Sequence, residues 1–343
     1  MAATPQAAVL SRSHWAGTNA DVDIHIEAYE GDIEGSFRVE SIFRSMGLTN
    51  FKSTGNNTNT WRGDRMSGAV VQGRKSGQTL DGTRIANDKM IVVVDTTSYI
   101  RTPVDYQDDW TSPDFQSEYS AEHGSAHAKA FDQAHIIQLI KSGAFVAPDH
   151  LKTGGAWFDG ITATLTGYNA ALAGAGTATL TAAEVAADII VQTHKAQLTK
   201  FVQRDLGGSL AETVTLIEPV LFNTLLEHKK LMNVEFQGGS GDNSFAGRRI
   251  ALLNGVRVME TPRFPTAAIA NHILGPSFNV SAAEAKARMI IFFPKKALVT
   301  VEAMGMTVRY FDLPEHFTHI LDSYTLYTVG QKRPDTVAVI FAE

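Results

Sequence analysis

The longest periodic stretch of this 343-residue chain covers residues 111–143, TSPDFQSEYSAEHGSAHAKAFDQAHIIQLIKSG. Phe115, Tyr119, Glu122, Ala126, Ala130, Ala134, Ile137 and Lys141 recur there at helical spacing. Thr111 or Ser112 can cap a helix, Pro113 suits its first turn, and Asp114 follows Thr111 by three residues as in a capping box. Gly143 can end it. The pattern predicts one helix over 112–142, about 45 Å long at roughly 1.5 Å per residue. Its apolar stripe is narrow, so the helix reads as a strut that supports other elements and other subunits.

Upstream, residues 1–20 are rich in Ala, Ser and Thr with little periodicity and read as a flexible arm, while 23–46 suggest a short helix that docks elsewhere. Over 51–99 the texture changes to Gly, Asn, Thr and Arg around two strand-like runs, NTNTWRGDRMSGAVV and TRIANDKMIVVVDTTSYI, joined by the turn-rich QGRKSGQTLDG. These predict a long two-stranded ribbon. Such a ribbon is marginal in water by itself, so another surface should lie beneath it.

Downstream, 145–181 read as loop and short strand. Thr181 and Glu184 form a capping box for a helix to about Leu206, TVTLI is a strand, and Pro219 opens a third helix to about Leu231. The segment GGSGDNSFAGRR reads as a mobile loop; the runs RIALL and VRVMETP flank Asn254-Gly255, the signal of a type I′ hairpin. These elements predict a compact α/β unit over 181–265. The remainder, ARMIIFF, ALVTVEAMGMTVRYFD, HILDSYTLYTV and DTVAVIFA, is mostly strand.

Charge alters this picture at one place. From Trp61 to Val94 six basic residues, Arg62, Arg65, Arg74, Lys75, Arg84 and Lys89, stand against three acids, Asp64, Asp81 and Asp88, a net of +3. From Asp105 to Glu122 the acids Asp105, Asp108, Asp109, Asp114, Glu118 and Glu122 meet no Lys or Arg. A basic ribbon and an acidic helix start could face each other across a subunit boundary; both could equally be solvated faces, since exposed pairs contribute only about 0–1 kcal/mol each. Acids at a helix start are favoured by its dipole whatever they touch.

Composition narrows function by exclusion. A net charge of -6 and a pI near 6.0 argue against gripping nucleic acid through bulk charge. The absence of cysteine removes disulfides, thiolate zinc sites and cysteine nucleophiles. The first thirty residues hold one basic residue, Arg12, and no apolar run, which argues against a secretory signal, and no later run is long enough to cross a bilayer. His123 and His127 have the i,i+4 spacing of a zinc pair, but HGSAH lacks the neighbouring glutamate of a metalloprotease, so they read as exposed or interface histidines. GGSGDNSFAGRR lacks the Gly-Lys-Ser/Thr of a phosphate cradle. No enzymatic activity, catalytic group, metal or cofactor is expected. A hydrolase with an acid pair in an α/β core is kept as an alternative, although nothing singles out a pair.

The order of these elements resembles the major capsid protein of tailed bacteriophages, most of all the short-tailed podophage type, over about residues 31–343. The resemblance implies an α+β, Hong Kong phage-type capsid fold: N-terminal arm 1–49; E-loop 50–97; peripheral domain 98–180 with spine helix 112–142; axial domain 181–295; and a return to the peripheral domain over 296–343. The spine would be SEYSAEHGSAHAKAFDQAHIIQLIKSG, and Gly330, Arg333, Pro334 and Asp335 match a late Gly-x-x-Arg-Pro-acid turn. It implies a virion protein assembled in the bacterial cytoplasm as hexamers and pentamers around double-stranded DNA that it touches loosely. Its partners would be copies of itself, a separate scaffolding protein, a portal protein and optional decoration proteins, with no membrane. The inter-subunit contact candidates are Arg62, Arg65, Arg74, Lys75, Arg84, Asp105, Asp108, Asp109, Asp114 and Glu118. Lys75 lies where some relatives form a lysine–asparagine cross-link, but no asparagine or assisting acid is identifiable, so none is expected. An encapsulin-like nanocompartment shell is the alternative on the same fold.

Overall fold

The structure, a computed structural model, describes residues 41–343 except 55–57, 81, 112–114, 175, 178–179, 234–242 and 246. In chain order it contains α1 (Ile42–Ser45), β1 (Asn50–Ser53), β2 (Thr60–Met66), β3 (Asn87–Val93), β4 (Thr97–Asp105), α2 (Tyr106–Thr111), α3 (Phe115–Gly143) and α4 (Asp149–Lys152). There follow β5 (Ile161–Thr164), α5 (Tyr168–Ala173), α6 (Ala182–Gln203), β6 (Val214–Ile217), α7 (Pro219–Leu226) and α8 (Lys229–Met232). The chain closes with β7 (Leu252–Leu253), β8 (Val256–Glu260), β9 (Ala287–Phe292), β10 (Leu298–Leu313), β11 (Thr318–Gln331) and β12 (Val337–Phe341).

The centre is a mixed six-stranded sheet in the order β5-β12-β9-β6-β8-β7. Both side-chain parities of its inner strands are buried: Ile290, Phe292, Val337 and Val339 pack with α3, whereas Met289, Ile291, Ala338 and Ile340 pack with α6 and α7. That is why ARMIIFF and VAVIF are continuous apolar runs; a sheet covered on both faces has no polar side to alternate with. The sheet takes strands from 161–164 and 337–341 as well as from 214–292, so it extends beyond the compact unit expected over 181–265. A second sheet, β1-β10-β11-β4, is built on the long β10–β11 hairpin, whose register shifts around Met304 bend it. The third is the ribbon β2–β3.

Local signals hold at several points. Thr181 and Glu184 make the reciprocal capping box of α6. Asn254 and Gly255 both have positive φ, 51° and 79°, as a type I′ turn requires. Elsewhere the structure corrects the expectation. Helix is described over Tyr106–Thr111 as well as over Phe115–Gly143, and the expected cap and first turn at Ser112, Pro113 and Asp114 fall outside the described residues. The third helix stops at Leu226 and resumes as α8, capped by the His228 ring. A short helix, α5, occupies part of the expected loop.

The narrow stripe assigned to α3 is also corrected. From Phe131 to Ile140 nearly every side chain is buried, because the six-stranded sheet, the 264–285 segment and α1 enclose this half from several sides. The three histidines are not surface groups: His123, His127 and His135 are 6, 7 and 0 % exposed. Asp132 on the same half receives the backbone N–H groups of Ile42 and Phe43 and the Ser41 hydroxyl, which ties α1 to the helix as the 23–46 reading anticipated for its end. Burial raises the Asp132 carboxyl from its ordinary value against these bonds, which lower it.

Candidate inter-subunit surface

The ribbon has two unlike faces because strand residues alternate. Its cross-strand pairs are Thr60 with Val93, Trp61 with Val92, Arg62 with Ile91, Gly63 with Met90, Asp64 with Lys89, Arg65 with Asp88 and Met66 with Asn87. Trp61, Met90 and Val92 pack inward on Val94, Val299, Val301 and Leu326. Arg62, Asp64, Met66, Lys89, Ile91 and Val93 point away from the chain and are exposed. The inward face supplies the surface that the lone ribbon lacks.

The root of the ribbon is fixed by groups far apart in sequence. Arg65 is half-buried; its Nη2 donates to the Gln331 carbonyl at 2.9 Å, and its guanidinium lies 5.3 Å from the Trp157 ring and 5.9 Å from the Phe145 ring. Burial lowers its pKa, with Asp88 and Asp335 opposing. Trp157 Nε1 donates to the Met66 carbonyl at 2.9 Å, and Gly68 N donates to Thr153 O at 3.0 Å. Gly68 and Gly154 touch backbone to backbone: a Cβ on Gly68 would stand 2.7 Å from Gly154 O. Where β3 crosses β11, a Cβ on Gly330 would stand 2.6 Å from Val92 Cγ2. Arg333 stacks 5.0 Å over Trp157, donates to Ala156 O at 2.7 Å and pairs with the wholly buried Asp335 at 2.9 Å. The Gly-x-x-Arg-Pro-acid turn is thus part of the ribbon's anchor.

Beyond Gly68 the tip changes character. Every described residue from 69 to 85 is exposed, with Val71 98 % and Leu80 81 % open. Arg74 Nε donates to Gln78 O, and Lys75 N donates to the Gln78 side chain, so the tip turn is internally bonded. Of the expected contact residues, Arg62, Arg74, Lys75 and Arg84 are exposed on the ribbon, whereas Arg65 is half-buried and anchored within its own chain. Asp105 is half-buried at the end of β4 and accepts the Gln107 N–H at 2.9 Å. Asp114 and the side chains of Asp108, Asp109 and Glu118 lie outside the described residues.

Sequence reasoning built on charge missed the apolar share of this surface. Met66, Val70, Val71, Leu80, Ile85, Ile91 and Val93 are exposed on the ribbon, and Trp110, Tyr99 and Phe317 are exposed around β4 and α2. The signal was present as Val70-Val71 inside a glycine-rich turn and as a tryptophan among acids. Among the described residues no group of three acids or histidines could hold a metal, and no helix is long and apolar enough to cross a membrane.

A core on both faces of a central sheet, a long spine helix and a bolted ribbon with an open tip are the architecture of a shell-building subunit. The comparisons with known structures agree. The chain is 42 % identical to a chain of the mature capsid of bacteriophage PhiM1, over 99 % of each chain, with a TM-score of 0.77. It shares the fold of the capsid of cyanophage P-SCSP1u, at 16 % identity over 100 % of this chain and 99 % of that one, TM-score 0.72. Mycobacterium phage Che8 follows at 16 % identity, 89 % of each chain and TM-score 0.55. No protein-family model matches the chain, and no curated protein matches it. The chain belongs to the bacteriophage major capsid proteins: it is a structural subunit of an icosahedral phage shell, and its place is the virion.

Proposed function

We propose that each subunit's ribbon lies over the spine helix and peripheral region of a neighbour, so that copies close into hexamers and pentamers around their axial regions and tile the shell. The carrying observation is the division within the ribbon, whose root is fixed inside its own subunit while its tip leaves Val71 and Leu80 uncovered beside Arg74, Lys75 and Arg84. An unpaired apolar ribbon is a liability unless another surface covers it. The domain division in this reading is arm 1–49, E-loop 50–97, peripheral 98–180 and 296–343, and axial 181–295.

The basic tip and Arg62 would meet Asp105, Asp108, Asp109, Asp114 and Glu118 of the neighbour, with the exposed aromatics Trp110 and Phe317 supplying apolar contact. Each such contact is weak, and a closed shell multiplies it because losing one subunit breaks several at once. A separate scaffolding protein, a portal and optional decoration proteins complete the assembly in the bacterial cytoplasm, and packaged double-stranded DNA touches the shell loosely. The test is reversal of Arg74, Lys75 and Arg84 to Glu in the full chain, with shell formation followed by electron microscopy and folding by circular dichroism. A folded chain that no longer forms shells or rosettes is expected; normal assembly yield and salt resistance would defeat the charge part of the proposal.

A further inference from the structure

The N-terminal half of α3 meets the four-stranded sheet through polar side chains. His123 Nε2 lies 2.8 Å from Thr102 Oγ1 on β4. Ser323 Oγ on β11 lies 3.1 Å from His123 Nδ1 and 3.1 Å from His127 Nε2. One hydroxyl therefore serves two buried rings a helical turn apart. A hydroxyl brings one proton and two lone pairs, so neutral rings satisfy it: one accepts the serine proton and the other donates its N–H. Two charged rings would both donate to that oxygen, leaving the serine proton without its ring acceptor and setting two cations side by side.

The surroundings offset these charges only in part. Asp322 is already held by Arg101 through bonds of 2.7 and 2.6 Å, and Glu122 sits on the exposed side of α3. His127 also lines a cavity of about 220 Å³, together with Gly124, Ala128, Phe131, Met306, Thr325 and Tyr327, with Arg44 and Ser41 at its α1 wall. Arg44 pairs with Glu302 at 3.0 Å, so that carboxylate is engaged too. The helix half thus rests on a shared hydroxyl and borders this cavity.

We propose that the Thr102, His123, Ser323 and His127 chain is an acid-sensitive latch that holds the N-terminal half of α3 on β4 and β11 and releases it toward the adjoining cavity when the rings take up protons. The C-terminal half stays seated in the core. Burial holds both imidazoles below the ordinary 6.5; Asp322 and Glu122 oppose this at His123, and at His127 a hydrogen bond to the Ser323 backbone opposes it while His123 adds to it. A released helix titrates at the ordinary value. The latch is at full strength above about pH 6.5 and weakens as pH falls from there toward the depressed values. The inference rests on this fold and stands apart from the ribbon contact proposed above.

Hydrogen exchange of the intact chain, read by mass spectrometry at about pH 7.5 and about pH 5 after correction for intrinsic rates, tests it. Amides over 122–130 should exchange about tenfold or more faster at the lower pH while those over 134–140 keep their protection. A His123→Gln, His127→Gln chain should lose that difference. Equal protection of 122–130 at both pH values, a uniform loss along all of α3, or an unchanged acid response in the double variant each overturns the latch. Should the double variant not fold, Ser323→Ala serves: without the shared oxygen, 122–130 should exchange fast already at about pH 7.5, and wild-type protection with a wild-type acid response would overturn the proposal.

Discussion

The six-stranded sheet and the ribbon are both antiparallel or mixed β-structure, yet the chain finishes one and leaves the other open. In the sheet, both faces are covered from within, by α3 on one side and by α6 and α7 on the other. In the ribbon only the inward face is covered, and cover ends at Gly68. The difference separates two kinds of hydrophobic residue. Ile290 and Phe292 stabilise the subunit itself, while Val71 and Leu80 are left exposed by their own chain and, on the proposed contact, are covered only by a second copy.

The largest effect should come from the finished region. Phe292 is wholly buried and stacks near Phe43 with ring centroids 6.2 Å apart. Phe292→Ala should cost about 3–5 kcal/mol through lost burial and the cavity left behind. Chemical denaturation of the unassembled chain would show it as a lowered midpoint at unchanged slope. A loss below about 1 kcal/mol would mean that this core is not what holds the subunit together.

Acid should find the same region next. His135 on α3 donates its Nδ1–H to Phe131 O and accepts the Thr300 hydroxyl at Nε2, both at 2.7 Å, and His194 on α6 reaches Thr215 Oγ1 at 2.9 Å and Asn254 Nδ2 at 3.1 Å. Burial lowers each imidazole to about 4. Because the folded pKa lies below the unfolded one, the contribution of the neutral rings is complete above about pH 6.5 and is lost as pH falls toward about 4. Each should remove on the order of 3 kcal/mol by that point. Denaturation midpoints measured between neutral pH and about 4 should fall steadily, and His194→Gln should flatten part of the slope.

How much of this was readable beforehand depended on distance along the chain. The capping box at Thr181 and Glu184, the Asn254-Gly255 turn and the late strands depend on neighbours within a few residues, and each stands where the sequence puts it. Arg65 looked like the other basic residues of the ribbon because nothing nearby marks it; only folding brings Phe145, Trp157 and Gln331 around it. The histidines of α3 misled for the same reason. Helical spacing reveals which residues share a face, but Thr102 and Ser323 decide that this face is buried, and they lie on β4 and β11.

The boundary between the two regions can be broken at the root. Gly330→Val would force a side chain into Val92 where β3 crosses β11, and Arg65→Ala would remove the bond to Gln331 O and the stacking on Trp157. Each should cost about 1–3 kcal/mol, the range for overpacking and for losing a partly buried charged donor. Hydrogen exchange should rise over 60–66 and 87–93 while 287–292 stays protected. Parallel loss in both segments would show that root and core unfold as one unit.

The tip gives the smallest effect on the subunit and so the sharpest test of the comparison. Val71 and Leu80 touch too little of their own chain for Val71→Asp with Leu80→Asp to move the denaturation midpoint, and a change within about 0.5 kcal/mol is expected, as for other exposed positions. Shell formation should nevertheless fail, since the same two side chains would carry charge into a surface that must be dried in every copy of the lattice. A double variant that is both stable and assembles normally would show that these residues are merely tolerated on the surface. A variant that loses stability as well would place the tip inside the subunit's own cooperative unit, and the contrast between a finished sheet and an open ribbon would no longer hold.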